Sequence, residues 1–170
     1  PNFSKTASVF TIHNMGYQGV YGKEKFTDLG IDWNLYYGAG FERNGDINFL
    51  QAGISSADMV TTVSPTYAEE IQTVEGGFGL DGLLRVRKDV VRGIVNGVDS
   101  DVWSPETDKL NPANYSSKSM EGKKLCKKTL QQKFGLPIDE NIPVIGMIGR
   151  LVSQKGIGEV FGPNYGCMYR

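Results

Sequence analysis

Residues Asp58–Gln72 read DMVTTVSPTYAEEIQ, and the order of residue types along them decides the fold class. Met59 to Val63 are apolar or β-branched throughout, the composition of a strand. Ser64 follows, and its hydroxyl suits the backbone N–H groups that open a helix. Pro65 then fits the first helical position, where a missing N–H costs nothing. A strand passing straight into a helix is the βα unit of a doubly wound sheet.

Working outward, Ser8 to Ile12 reads as another buried strand, stopped at HNMGYQG by Gly16 and Gly19. An aromatic, irregular stretch runs from there to Arg43. Asn48 to Ala57 has the spacing of a short helix with Phe49, Leu50 and Ile54 inward. Beyond Gln72, EGGFGLDGLLRVRKD is a glycine-rich loop entering a helix, and RGIVNGVD supplies a short strand at Ile94 and Val95. Residues 103–117 have the Pro, Asn, Ser and Asp composition of a linker. MEGKKLCKKTLQQKFG is helical, with Leu125, Cys126, Leu130 and Phe134 near one face and five lysines on a solvated face. Gly135 stops it. In PVIGMIGRLVSQKGIG, residues 143–158, Val144, Ile145, Met147 and Ile148 read as a strand buried on both faces. This alternation predicts an α/β fold with parallel sheet. The linker divides a first sheet, ending near residue 100, from a second.

The bulk composition narrows the function. Hydrophobic residues make up 39% and charged residues 22% of the 170, as in an ordinary globular chain. The net charge of −1, from 18 basic and 19 acidic residues, gives no global pull toward nucleic acid or a membrane surface. Any anion site must therefore be local. The 22 glycines exceed the usual share of about 7% and are scattered, a mark of many tight loops. Cys126 and Cys167 are the only cysteines and lie in no metal-like or redox-like cluster, so a reduced intracellular compartment is expected. No apolar run approaches the roughly 18 residues of a membrane span.

Two places carry residues suited to chemistry. His13, the sole histidine, ends a strand beside Asn14, with Tyr17 and Gln18 close behind. It is either a loop histidine satisfied by its neighbours or part of a polar pocket. Imidazole, amide and phenol groups suit sugar hydroxyls, which both donate and accept. Arg150 and Lys155 flank the loop after Gly149, at the carboxyl end of the last expected strand. Ligands in open α/β sheets bind at such places. They are either surface cations or a phosphate clamp, in which Arg is bidentate and Lys a point charge. GGFGL, residues 76–80, lacks the lysine and spacing of a phosphate-cradling loop. It is either a mobile loop near a substrate or a plain connection. No G-x-G-x-x-G follows any strand, which disfavours a dinucleotide-dependent dehydrogenase.

Six motifs in order, TIHNMGYQGVY, FLQAGISSADMVTTVSPTYAEEIQT, GFGLDGLLRVRK, GIVNGVDSDVWSPETD, KKTLQQKFGLP and IGMIGRLVSQKGI, resemble the bacterial glycogen synthase and plant starch synthase family. They cover almost everything from Ser8 to Ile157. The resemblance implies a GT-B glycosyltransferase, with two Rossmann-like domains facing a cleft. It implies a retaining transfer of glucose from ADP-glucose to the non-reducing end of an α-1,4-glucan, in starch or glycogen biosynthesis. On this resemblance His13, Arg150 and Lys155 are catalytic. Arg150 and Lys155 bind the diphosphate, and His13 contacts the donor glucose. Asn14, Tyr17, Gln18 and Gly149 line the substrate pocket. Asn96 and Asp99 match a family signature, with a role in hinge and turn geometry.

The resemblance implies no metal and no cofactor beyond the donor substrate. It implies ADP-glucose and the glucan as partners, without nucleic acid or membrane. The expected location is the plastid stroma in a plant or alga and the cytoplasm in a bacterium. Residues 1–102 are expected to be the C-terminal part of the first Rossmann-like domain and 103–117 a linker. Residues 118–157 would begin the second domain, and 158–170 form a divergent tail. The family's Lys-Thr-Gly-Gly-Leu loop and its later paired glutamates lie outside these residues. The chain is therefore expected to be a fragment that alone neither folds stably nor catalyses. A UDP-glucose-using glycosyltransferase and a non-catalytic glucan-binding fragment are the competing readings.

Overall fold

The structure, a computed structural model, describes residues 3–162. It forms two compact units, Pro1–Val98 and Asp99–Arg170. The first unit runs β1 (Val9–Ile12), β2 (Val20–Tyr21), a 3₁₀ turn over Lys23–Leu29, α1 (Asn34–Gly38), β3 (Glu42–Arg43), β4 (Asp46–Asn48), α2 (Phe49–Ser56), β5 (Met59–Thr62), α3 (Pro65–Glu70), α4 (Asp81–Val86) and β6 (Val91–Gly93).

The strand-to-helix unit at Asp58–Gln72 is present as the sequence dictates. β5 is the middle strand of a parallel sheet of order β1-β5-β6, and its Val60, Thr61 and Thr62 are buried. Ser64 caps α3, its hydroxyl accepting from Tyr67 N–H at 3.3 Å, with Pro65 at the opening turn. Thr62 Oγ1 donates to the Ile12 carbonyl at 2.7 Å, which satisfies a buried hydroxyl inside the ladder. Helices α2, α3 and α4 bury Leu50, Ile54, Ala68, Ile71 and Leu84 against Ile12, Met15, Val60 and Val91. Each large aliphatic side chain fully buried there contributes about 1.5–3 kcal/mol.

Three local expectations need correction. Ser8–Ile12 was expected to be buried, yet Val9 is 63% exposed and only Ile12 is fully enclosed, because β1 is the edge strand of this sheet. The last strand is Val91–Gly93 and not Ile94 and Val95. β5 ends at Thr62, which pairs with Gly93, so the ladder stops there. Ile94 N–H makes a final bond to Thr62 O at 2.7 Å, and Ile94 and Val95 project into solvent. Phe49 is half exposed, because the first turn of α2 leans on Tyr21 and Phe41 in edge-to-face contacts instead of entering the main core.

The stretch read as irregular has its own small core. β2, β4 and β3 form an antiparallel sheet in that order. Phe26, Tyr36 and Ile47 are fully buried beside it, and Phe26 packs edge-on against Tyr36 and Phe41 at 5.2 and 5.4 Å between ring centres. The Tyr36 hydroxyl donates to the Gly45 carbonyl at 2.9 Å. Aromatic packing without periodicity leaves no pattern for a sequence reading to find.

In the second unit, residues 103–117 are turns, as their composition predicts. α5 (Glu121–Lys133) ends where expected: Gly135 takes φ +64°, and the N–H groups of Gly135 and Leu136 return to the carbonyls of Gln132 and Gln131. Its apolar face is not inward, however. Leu125, Leu130 and Phe134 are 42–68% exposed, while Gln131 is buried and donates to the Asp139 carbonyl at 2.9 Å. The expected strand at Val144–Ile148 does not form, and Ile148 is wholly exposed. A strand needs a neighbour for its backbone groups, and the described residues of this unit contain no other strand to pair with it. A 3₁₀ turn over Ser153–Lys155 leads to α6 (Ile157–Phe161), which stops at Gly162. The rest of the expected divergent tail, with Cys167, lies outside the described residues.

Candidate active site

The His13 loop leaves the carboxyl end of β1, the position that an α/β sheet offers to ligands. His13 and Tyr17 are exposed, Tyr17 by 58%, and Asn14 and Gln18 are half buried. The loop is held by four contacts that fix its path. Gly16 N–H donates to Asn14 Oδ1 at 2.8 Å, an Asx turn. Met15 N–H donates to the Tyr67 hydroxyl of α3 at 3.0 Å, while the Met15 side chain is buried in the core. Gln18 accepts from Asn48 Nδ2 at 2.7 Å and donates through Nε2 to the Phe78 carbonyl at 3.0 Å. The exposed imidazole and phenol are thus carried on a fixed backbone.

Gln18 opens a relay of amides that sequence reasoning missed. Asn48 caps α2 by accepting from Gln51 N–H at 2.8 Å. Gln51 donates to the carbonyls of Gly40 and Glu42 and accepts from Arg43 at 3.0 Å. Arg43 then donates to the Gly79 carbonyl at 2.6 Å. The signal for the first step was readable: Asn followed three residues later by Gln resembles the sequence of a capping box. Arg43 gave no signal, because its partner lies 36 residues away.

This relay ends on the GGFGL loop, which is neither free nor a plain connection. Leu80 N–H donates to the Gly77 carbonyl at 2.8 Å, closing a turn whose central residues are Phe78 and Gly79. Both have positive φ, +49° and +82°, the pattern of a primed turn. Glycine suits the second position, whereas phenylalanine in the left-handed region costs on the order of 1 kcal/mol.

The second group of expected residues lies in the other unit. Gly149, Arg150 and Lys155 line one open cavity of about 350 Å³ together with Met147, Ile148, Leu151, Ile157 and Phe161. Both cations are exposed, and neither forms an ion pair among the described residues. The loop is shaped by bonds from Val152 N–H to Arg150 O and from Lys155 N–H to Val152 O, each 2.9 Å. A Cβ at Gly149 would meet nothing within 4 Å, so packing does not demand glycine there. The structure therefore brings Gly149, Arg150 and Lys155 together. It brings Asn14, Tyr17 and Gln18 together beside His13 in their own unit. Asp99 organises a turn, its carboxylate accepting from Asp101 and Val102 N–H at 3.1 Å. Among the described residues no three His, Cys, Asp or Glu side chains converge as metal ligands, and no helix is long and apolar enough to cross a membrane.

The class that this fold defines is an α/β protein with a polar loop beyond the carboxyl end of a parallel strand. A family model described as the starch synthase catalytic domain matches residues 1–86, and the chain belongs to that family. The sequence is 56% identical over 168 residues to a glycogen synthase of Treponema denticola, covering 99% of this chain and 34% of that protein. It is 50% identical over 151 residues to a glycogen synthase of Myxococcus xanthus, covering 88% and 31%. Its structure is similar to the catalytic domain of starch synthase IV from Arabidopsis thaliana bound to ADP and acarbose. There the TM-score is 0.82 at 36% identity, over 92% of this chain and 33% of that one. The fold is accordingly α/β with parallel sheet, a fragment of a catalytic domain of the GT-B type, as the motifs implied. The chain spans about a third of the length of the curated relatives it matches.

Proposed function

We propose that this chain is part of a retaining glucosyltransferase that moves glucose from ADP-glucose to the non-reducing end of an α-1,4-glucan. The observation that carries this reading is its likeness to a catalytic domain solved with ADP and acarbose, a nucleoside diphosphate beside an oligosaccharide mimic. In this reading the bond from the anomeric carbon to the phosphate oxygen breaks, and its electron pair leaves on ADP. The acceptor hydroxyl oxygen takes that carbon on the same face, and its proton is released with the ADP. Arg150 and Lys155 supply fixed positive charge where negative charge develops. His13, with Asn14 and Tyr17, hydrogen-bonds the donor glucose. Gln18, whose amide also ties the loop to Asn48 and Phe78, lines the same pocket. Gly149 leaves the cavity beside the cations open.

The domain reading goes with this. Residues 1–102 end the first Rossmann-like domain, 103–117 link the two, and 118–157 begin the nucleotide-binding domain. The plastid stroma in a plant or alga, or the cytoplasm in a bacterium, is the setting such an enzyme implies. The test grafts residues 1–157 in place of the matching third of the Treponema denticola relative and follows labelled glucose from ADP-glucose into glycogen. Arg150→Ala and Lys155→Ala should each lower kcat by about 10²–10³-fold. Equal turnover in these variants would remove the clamp assignment, and a preference for UDP-glucose would replace the donor.

A further inference from the structure

We infer that Phe78 is a stacking platform for a glucose ring of the glucan, an inference that rests on the glucosyltransferase reading. The first observation is its place at the first central position of a primed turn, with φ +49°. Glycine, asparagine or aspartate takes that position in ordinary turns, and a bulky side chain there is strained. The second is that the ring lies outside the core. It is 54% exposed, belongs to neither core cluster, and meets no other aromatic ring among the described residues.

The third is that two side chains from elsewhere hold this turn by its successive carbonyls. Gln18 donates to the Phe78 carbonyl at 3.0 Å, and Arg43 donates to the Gly79 carbonyl at 2.6 Å. The Gln18 tether comes from the His13 loop itself, one residue after the exposed Tyr17. An exposed aromatic face, held on a strained backbone and tied to a loop of sugar-binding chemistry, offers an apolar surface to the C–H face of a pyranose. Its low side-chain entropy suits it to that use. Arg43 and Gln18 are positioning residues here, since they act through the turn.

The experiment uses the chimera in which residues 1–157 replace the matching third of the Treponema denticola relative, and reads two quantities, the melting temperature and the retardation of the protein in gels containing amylopectin. Phe78→Asn relieves the strained turn and is expected to raise Tm by about 2–4 °C while weakening retardation about tenfold. Phe78→Trp keeps the platform and should retain binding. A lower Tm for Phe78→Asn would make the ring structural and overturn the inference. So would unchanged retardation, or a chimera with Phe78 intact that amylopectin does not retard. Binding of ADP-glucose, measured in parallel by calorimetry, separates the two readings. If the nucleotide sugar binds and Phe78 does not affect retardation, the platform fails and the glucosyltransferase reading stands. If neither ligand binds, both fail.

Discussion

Asp58 shows how one carboxylate ties the strand that carries the His13 loop to its neighbour. Its Oδ2 accepts from Ser8 N–H at 2.7 Å and from the Ser8 hydroxyl at 2.9 Å, and Asp58 N–H returns a bond to Ser8 Oγ at 3.1 Å. These bonds clamp the starts of β1 and β5 and hold the carboxyl below its ordinary value of 3.8, the backbone donor first and the hydroxyl second. A group whose folded pKa is lowered stabilises the fold above its unfolded value, and the effect is lost as pH falls through the folded one. Thermal melts taken from neutral pH down through the acid range should show this loss in the wild type, beginning near pH 3.8. Asp58→Asn should be less stable at neutral pH and lack that acid-sensitive component. A parallel pH profile in the variant would show that the clamp does not operate. At this scale the sequence offered little, because Ser8 and Asp58 are 50 residues apart.

Among the elements, β6 packs on α3 with no room for an added side chain. A Cβ placed on Gly93 would collide with the Ser64 carbonyl and with Pro65, both backbone-bound atoms at the start of α3. Gly93→Ala should therefore cost about 1–3 kcal/mol in denaturant unfolding, with the far-UV helical signal retained in the native baseline. A neutral result would mean that α3 shifts freely on the sheet. α3 itself was legible because everything that starts it is adjacent in sequence: β-branched residues, then Ser64, then Pro65. Val91–Gly93 was not, because the position of that strand follows from where β5 stops and not from its own residues. The run Val144–Ile148 carries a strand composition as good as that of β5, yet it stays unpaired, since composition supplies side chains and not a neighbouring backbone.

Across the whole chain, the two units differ in how they treat apolar residues. The first encloses Ile12, Ile54, Val60, Ile71 and Leu84 almost completely, whereas the second leaves Ile145, Ile148 and Leu151 72–102% exposed. A contiguous exposed run of this kind invites association. The 170-residue chain should self-associate at micromolar concentration in sedimentation velocity, and Ile145→Lys with Ile148→Lys should shift it toward monomer. A monomeric wild type would mean that these residues are covered in solution.

The sequence by itself determined the α/β class, the capped helix after β5, the stop of α5 at Gly135 and, through six ordered motifs, the family. Each depends on residues close together along the chain or on a pattern read in order. Tertiary structure alone decided that Gln18, Asn48, Gln51 and Arg43 join in one relay to the turn at Phe78. It alone decided that Gly149, Arg150 and Lys155 share one cavity and that Val144–Ile148 remains unpaired. Hydrogen bonds between distant side chains and pairing between strands depend on what folding brings alongside, and no local pattern of residue types encodes that.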